Sequence, residues 1–378
     1  MPRLFRHPVA RLRLLGEFAR ISHKVAPLPN PGFVKVFRRA LQLYREELYD
    51  PEEAYLDGVL DPAFPEKNIR DFVSKRMLMR IQGAVNPDSW TRLTEDKSIF
   101  YRYCTALGVA TPELYALFFK DKAGCSPDGS VLQNRADWIS FLDDKLPEEF
   151  VIKPAWGVYG TGISLLHRST NGAFMDAAGL EQSAAEIYDT MLSHPEYHSF
   201  VIQKRLRNHA ELVQLSDTEY LQTTRIVTYV DNSSHCNILF AFFKPIVGLN
   251  FSDNHDHGKT GNLVAQVDLQ TGTLRPASIM TDDGSGEKTV LAHPVTGTPF
   301  EGFQMPLWKE TCQLARQAAR EFLPLRTVGW DIAITPDGPF IVEGNAWSDP
   351  FCFEGVRDIM TALLDQDGDA TRTGKDRT

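Results

Sequence analysis

Many of the signatures that reveal a protein's chemistry at sight are missing from this chain. Its five cysteines (Cys104, Cys125, Cys236, Cys312 and Cys352) are odd in number, scattered, and never spaced Cys-x-x-Cys. That argues against a disulfide framework and a thiolate zinc site, and for a reducing compartment. No run approaches the length and apolarity of a transmembrane helix, and the first residues lack the apolar stretch of a signal peptide. The expected location is therefore the cytoplasm. Positive charge is in deficit: 40 Lys and Arg against 49 Asp and Glu leave a net −9, which gives no support to nucleic-acid binding. The phosphate-binding pattern Gly-x-x-x-x-Gly-Lys-Ser/Thr is absent, as is a glycine turn opening a helix. No Ser-His-Asp or Cys-His arrangement is identifiable, which disfavours a covalent enzyme intermediate.

What remains is an ordinary globular composition, 43% hydrophobic and 24% charged over 378 residues, enough for two or three lobes. The acidity is uneven. Met1 to Arg45 holds ten Lys or Arg and one acid, Glu17. Such an arm either rests on an anionic surface or acidic partner or is a solvated helix face. Residues 365–378 read as a disordered polar tail. Helices are expected after Asn30-Pro31 (apolar positions Phe33, Val34, Phe37, Leu41, Tyr44, Leu48), from Asp71 to Ile81, from Thr94 to Leu107, and over 184–192 and 307–323. Strands are expected on both sides of a glycine loop in 149–167, and over 199–206, 223–230, 238–247 and 262–269, with a polar loop at 250–261. Strands in runs predict an α+β fold with mostly antiparallel sheet.

The most specific signal is VGWDIAITPDGPFIVEGNAW. Alternation puts Ile332, Ile334 and Val342 on one face, and Asp331, Glu343 and Asn345 on the other with Ala333 and Ile341. A three-residue loop of Pro336, Asp337 and Gly338 makes Asp331 and Glu343 face each other, roughly 5 Å apart. Two acids that close call for a cation between them, unless each has its own Arg or backbone partner. Their all-oxygen donor set suits Mg²⁺ or Mn²⁺ held jointly with phosphates. Upstream, Gly157, Gly160 and Gly162 make either an ordinary hairpin turn or a β-hairpin flap able to lower backbone N–H groups onto phosphates. Lys153 enters this flap from a buried strand, where a lysine needs an anion. Gln203 and Lys204 interrupt the strand SFVIQKRL as an adenine site would, or as an edge strand facing water. Arg225 and Lys244 sit in strongly β runs, either as cations for a transferred phosphoryl group or as structural ion pairs.

In this order the motifs resemble the ATP-grasp superfamily, over about Thr94 to Phe353. Within it, NHAELVQLSDTEYLQTTRIVTYV, NLVAQVDLQTGTL and HPVTGTPFEGFQMPLW look most like the sugar-transfer-associated branch related to glutamate ligases. The resemblance implies two α+β lobes closing on ATP. It divides the chain into a mainly helical region with the basic arm (1–93), a lid lobe (94–200), a core lobe with the metal site (201–364) and the tail (365–378). It implies Lys97 before the lid and Lys153 on the α- and β-phosphates. Gln203, Lys204 and Leu206 would hold adenine, with Glu211 or His209 near the ribose. Asp331, Glu343 and Asn345 would ligate Mg²⁺, and Arg225 and Lys244 would stand near the transferred phosphoryl group. Three positions depart from the pattern: Gln203 in place of Glu, Trp156 and Tyr159 in the flap, and Gly329-Trp330 where peptide-forming relatives often supply an Arg. The implied activity is an ATP- and Mg²⁺-dependent carboxylate–amine ligase forming an amide through an acyl phosphate, in a specialised or cell-surface polysaccharide pathway. Its partners would be small-molecule carboxylate and amine substrates, and a homodimer is compatible with this reading. A small-molecule kinase, or an ATP-binding module without turnover, are the alternatives.

Overall fold

The structure, a computed structural model, describes residues 8–27, 32–61, 64, 69, 72–157, 161–255, 260–281, 286–349 and 356–363. Gly160, Tyr159, Asn30-Pro31, Asp71, Cys352 and the 365–378 tail lie outside the described residues. Among the described residues, six α-helices precede the first strand: α1 (Pro8–Val25), α2 (Phe33–Glu46), α3 (Pro51–Leu56), α4 (Lys75–Val85), α5 (Arg92–Glu95) and α6 (Lys97–Ala106). The helix anticipated over 94–107 is two helices, because the Asp96 side chain accepts from the Ser98 N–H and starts a new one at Lys97. Ser74 caps α4 in the same way through the Met77 N–H, so that helix begins four residues later than the periodicity suggested and runs to Val85. In α2 the buried stripe is Val36, Ala40 and Leu43. Phe37, Leu41 and Tyr44 flank it, while Val34 is exposed and Leu48 lies beyond the helix at positive φ.

Strands β1 (Leu114–Phe119), β2 (Lys122–Cys125) and β3 (Val131–Leu132) lead to α7 (Arg135–Asp144) and β4 (Glu149–Pro154). Then come β5 (Ser164–Arg168), β6 (Phe174–Asp176), β7 (Glu181–Gln182), α8 (Ala184–Ser193) and β8 (Ser199–Lys204). They form one eight-stranded sheet in the order β3-β2-β1-β8-β4-β5-β6-β7. Capping boxes, Asn134 with Asp137 and Ser183 with Glu186, start α7 and α8. Both helices cover one face of this sheet, with Trp138, Leu142, Ile187 and Met191 against Phe118, Phe150 and Phe200. Alternation turns Leu117 and Val201 to the opposite face and the main core.

After a short α9 (Ala210–Ser216) the chain builds β9 (Thr223–Val230), β10 (Cys236–Phe243), β11 (Val264–Val267), β12 (Leu274–Met280) and β13 (Glu287–Val290). Helix α10 (Trp308–Glu321) and the hairpin β14 (Thr327–Thr335) and β15 (Gly338–Asn345) follow, and 356–363 is a last helix, α11. The second sheet has seven strands in the order β13-β12-β11-β10-β9-β14-β15, and every strand pairing described in either sheet is antiparallel. This is the α+β architecture expected. Helix α10 packs Ala315, Ala318 and Phe322 on one face, against Ile226, Phe243, Trp330 and Ile332. On the other face α4 and α11 pack Leu78, Ile81 and Met360 against Val227, Tyr229 and Phe242. Arg225 shares the face of Val227 by alternation, so α4 belongs to the wall of the site. Among the described residues no helix is long and apolar enough to cross a membrane.

Candidate active site

The described cleft has a volume of about 390 Å³ and opens where the end of β4 meets the β9-β14-β15 face. Lys97, Lys153, Gly157, Arg225, Lys244, Asp331, Glu343 and Asn345 all line it. The hairpin creates one wall, with a register that differs from the expectation in its cause. Thr335 pairs with Gly338, so the loop is the two residues Pro336 and Asp337. A bulge next to Asp331 then leaves Val342 extra on β15 and restores Asp331 opposite Glu343. The bulge exchanges the two neighbours. Ile341 joins Ile332 and Ile334 in the core, and Val342 turns to the cleft. Tyr101 on α6 holds the bulge, donating its hydroxyl to the Val342 carbonyl at 2.5 Å.

The two acids do not wait on a metal for compensation: each has its own cationic partner, the alternative to the metal that the sequence left open. Arg225 donates Nε and Nη2 to the two oxygens of Asp331 at 2.7 and 2.8 Å. Lys244 adds a contact at 3.2 Å. Lys97 pairs with Glu343 Oε1 at 3.0 Å and donates to the Gly157 carbonyl at 3.1 Å, tying the flap to the hairpin. Burial alone would raise the Asp331 pKa, but Arg225 and Lys244 outweigh it and hold the carboxyl well below the usual range. Burial likewise opposes charge on Lys244, and Asp253 and Asp331 overcome it and raise its pKa. Lys244 sits one residue past β10, not inside a strand. Asp253 places it, contacting Nζ at 3.3 Å while accepting from the Thr223 N–H and hydroxyl. The loop that carries Asp253 is pinned by fully buried Asn262, whose amide donates to the Ser252 and Asn254 carbonyls.

Among the described residues Lys153 forms no ion pair. Its Nζ donates to the Tyr101 hydroxyl at 2.7 Å and lies over the Tyr101 ring. Burial, then the neighbouring Lys97, push its pKa down to about 7 against the pull of Glu343. Gly162 requires glycine: at φ +75 a Cβ would stand 2.7 Å from the Tyr197 ring. At Gly157 a Cβ would meet only ordinary contacts. Trp156 anchors the flap base by donating to Asp96 Oδ2 at 2.8 Å. Gly329 also has a steric role, since a Cβ there would lie 3.1 Å from Arg225 Cδ and 3.0 Å from Ser348 Cβ. Arg225 therefore crosses the strand over Gly329, close to the position where the ATP-grasp resemblance expected an arginine from β14 itself.

Gln203 and Lys204 end β8, Leu206 follows it and Glu211 lies in α9, all outside the lining of this cleft. Gln203 is buried with Oε1 unpartnered, and Lys204 Nζ is 3.7 Å from Asp337 at the hairpin tip. His209 and Glu211 begin α9, where the His209 ring accepts from the Glu211 N–H. Sequence reasoning missed Tyr101, Asp253, Lys75, Met79, Trp347 and Asp349, all of which line the cleft or bond to a residue that does.

A metal would find three oxygen-bearing side chains on this wall. Among the described residues no group of three or more His, Cys, Asp or Glu forms a ready-made metal cluster. Asn345, however, buries Nδ2 without a partner. Amide orientation follows from the hydrogen-bond network, so that position equally presents Oδ1. With Glu343, whose side chain is 31% exposed, and Asp331, this oxygen donor set would suit a hard cation.

Two antiparallel sheets meeting at a cleft of converging lysines and arginine, with acids on a facing hairpin, define the ATP-grasp class. A family model for sugar-transfer-associated ATP-grasp proteins matches residues 76–355, and the chain belongs to that family. Solved structures similar to it include D-alanine–D-alanine ligase from Bacillus anthracis, at 12% identity over 76% of this chain and 70% of that one (TM-score 0.37). A RimK-domain ATP-grasp protein from Sphaerobacter thermophilus matches at 13% identity over 74% and 67% (TM-score 0.35). An L-amino acid ligase from Bacillus licheniformis matches at 10% identity over 80% and 54% (TM-score 0.36). No curated protein sequence matches the chain.

Proposed function

We propose that the chain is an ATP-dependent carboxylate–amine ligase that forms an amide through an acyl phosphate and releases ADP and phosphate. The observation that carries this reading is the convergence of Lys97, Lys153, Arg225 and Lys244 on one cleft beside Asp331, Glu343 and Asn345. Lys153 and Lys97, with the flap backbone at Gly157, hold the nucleotide phosphates, and the unpartnered Gln203 Oε1 accepts from the adenine amino group. Mg²⁺, held by Asp331, Glu343 and Asn345, would supply charge neutralisation on the phosphate oxygens. A substrate carboxylate is already ionised at neutral pH and needs no base to attack phosphorus. It does need cations, because two anions must approach within bonding distance. Arg225 uses Nε and Nη2 on Asp331, so its Nη1 edge is the one left for substrate, and Asp253 keeps Lys244 charged beside it.

The description of the family as sugar-transfer-associated supports a role in a specialised or cell-surface polysaccharide pathway. The test is an ADP-release screen over amino acids, amino sugars and sugar acids, with hydroxylamine added when the acid is supplied without its amine. A hydroxamate with ADP and phosphate is expected. Release of AMP and pyrophosphate overturns the mechanism, and a stable phosphorylated alcohol makes the protein a kinase.

A further inference from the structure

The base of the glycine flap is joined to the start of α6 by hydrogen bonds from two directions. The Lys97 N–H donates to the Ala155 carbonyl at 2.9 Å, and Lys97 Nζ to the Gly157 carbonyl at 3.1 Å. Between them, Trp156 Nε1 donates to Asp96 Oδ2 at 2.8 Å. The first two bonds engage Lys97 itself; the last engages only its neighbour in the chain. We infer that Trp156 and Asp96 are positioning residues for Lys97, fixing the first turn of α6 against the flap so that Nζ stands ready for a nucleotide phosphate. This deepens the proposed function and rests on its assignment of Lys97 to the phosphates.

Asp96 divides its oxygens between two tasks. Oδ1 accepts from the Ser98 N–H and hydroxyl at 2.8 and 2.6 Å, which starts the helix. Oδ2 is left over and takes the indole, so the residue that sets where α6 begins also ties it to the segment after β4. Lys97 gains from this, because an ammonium on a long flexible stem has no orientation of its own. Its Nζ lies between Glu343 Oε1 at 3.0 Å on β15 and the Gly157 carbonyl on the flap. A small rotation of α6 would lengthen one contact or the other. A side chain already ordered in the folded protein does not have to be ordered when the ligand arrives, which favours binding.

Trp156 is itself held on two sides. The Arg92 guanidinium carbon lies 4.9 Å from the centroid of its ring, and Arg92 pairs with Glu95 Oε2 at 3.5 Å. The indole is therefore fixed at its edge by Asp96 and on its face by α5. It is nevertheless 44% exposed, so filling the core does not account for it. An indole left in solvent with its N–H committed to a carboxylate is a directional contact first and an apolar one second. The sequence marks the same position, where Trp156 departs from the ATP-grasp pattern.

The test uses the full chain and calorimetry with Mg²⁺ and a non-hydrolysable ATP analogue. Trp156→Phe keeps the aromatic face for Arg92 and deletes the N–H. Asp96→Asn keeps the capping oxygen for Ser98 and turns the other acceptor into a donor. Each should weaken analogue binding about fivefold or more, and the double variant no more than either alone, since both act through one hydrogen bond. The decisive background is Lys97→Met. That variant should weaken binding by itself, and adding Trp156→Phe to it should change affinity by less than about twofold. A merely structural flap anchor would lose the same factor on either background. Parent-like affinity in Trp156→Phe, or an undiminished loss in the Lys97→Met background, overturns the inference and leaves the ligase reading standing. Parent-like affinity in Lys97→Met, or no analogue binding by the parent protein, brings down the phosphate assignment on which it rests.

Discussion

Burial works against charge at Lys153, and its only hydrogen-bond partner among the described residues is the neutral Tyr101 hydroxyl. With a pKa near 7, about half of these lysines are neutral at pH 7 before any ligand arrives. A phosphate beside Nζ favours the ammonium form. Nucleotide binding at pH 8 should therefore take up a proton, and affinity should fall as pH rises above 7. Calorimetry in buffers of different ionisation enthalpy measures that uptake, and no uptake would separate Lys153 from the phosphates. For stability the sign is opposite to that of a salt-bridged lysine. The folded state binds fewer protons than the unfolded one between about 7 and the ordinary lysine value of 10.5. The cost is fully present below about 7 and is relieved as pH rises through that interval. At Glu343 the prediction concerns turnover. Glu343→Gln removes the charge that Lys97 pairs with and one expected metal oxygen, while the half-exposed position keeps the fold intact. Turnover should drop by about a hundredfold or more with unchanged circular dichroism. Full activity would make Glu343 a structural partner of Lys97 and nothing else.

Among the elements, α4 decides how the cleft is shaped. Its C-cap, Asn86, is buried and serves four backbone groups, donating to the Thr327 and Ala346 carbonyls and accepting from the Arg326 and Thr327 N–H groups. Asn86→Ala strands those groups in the interior and should cost about 2–4 kcal/mol, read from urea unfolding. A loss well below 1 kcal/mol would mean that water replaces the amide and that the clamp is not rigid. The hairpin β14–β15 shows the other side of element-level control. Alternation alone predicts its acids on one face, and it is right about Asp331 and Glu343. It assigns Ile341 and Val342 to the wrong sides, because a bulge stabilised by Tyr101, distant in sequence, intervenes between them.

In the molecule as a whole, the cleft is made from parts that are far apart in the chain: Lys97 on α6, Lys153 on β4, Arg225 on β9, and Glu343 on β15. A ligand binding between them holds the two sheets together and should stabilise the protein by mass action. At a free ADP or ATP-analogue concentration one hundred times Kd, the gain is about 2.7 kcal/mol, seen as a rise in thermal midpoint. No rise at any nucleotide concentration would show that this cleft is not a nucleotide site.

The sequence by itself determined the α+β class, most strands of the second sheet, and many of the cations and acids that line the cleft. Those depend on local properties: period-two alternation, glycine at a turn, and charge placed where an apolar residue belongs. It could not determine which cation neutralises which acid. Arg225 and Asp331 become neighbours only when β9 pairs with β14, and Lys97 reaches Glu343 only when α6 packs beside β15. Nor could it place α4 in the wall, because Leu78 and Ile81 reveal that a face is buried but not what buries it. The same limit hid Tyr101, Asp253 and the bond from Trp156 to Asp96. Coulomb and hydrogen-bond energies depend on distance through space, and the distances between these groups are set only by the folded chain.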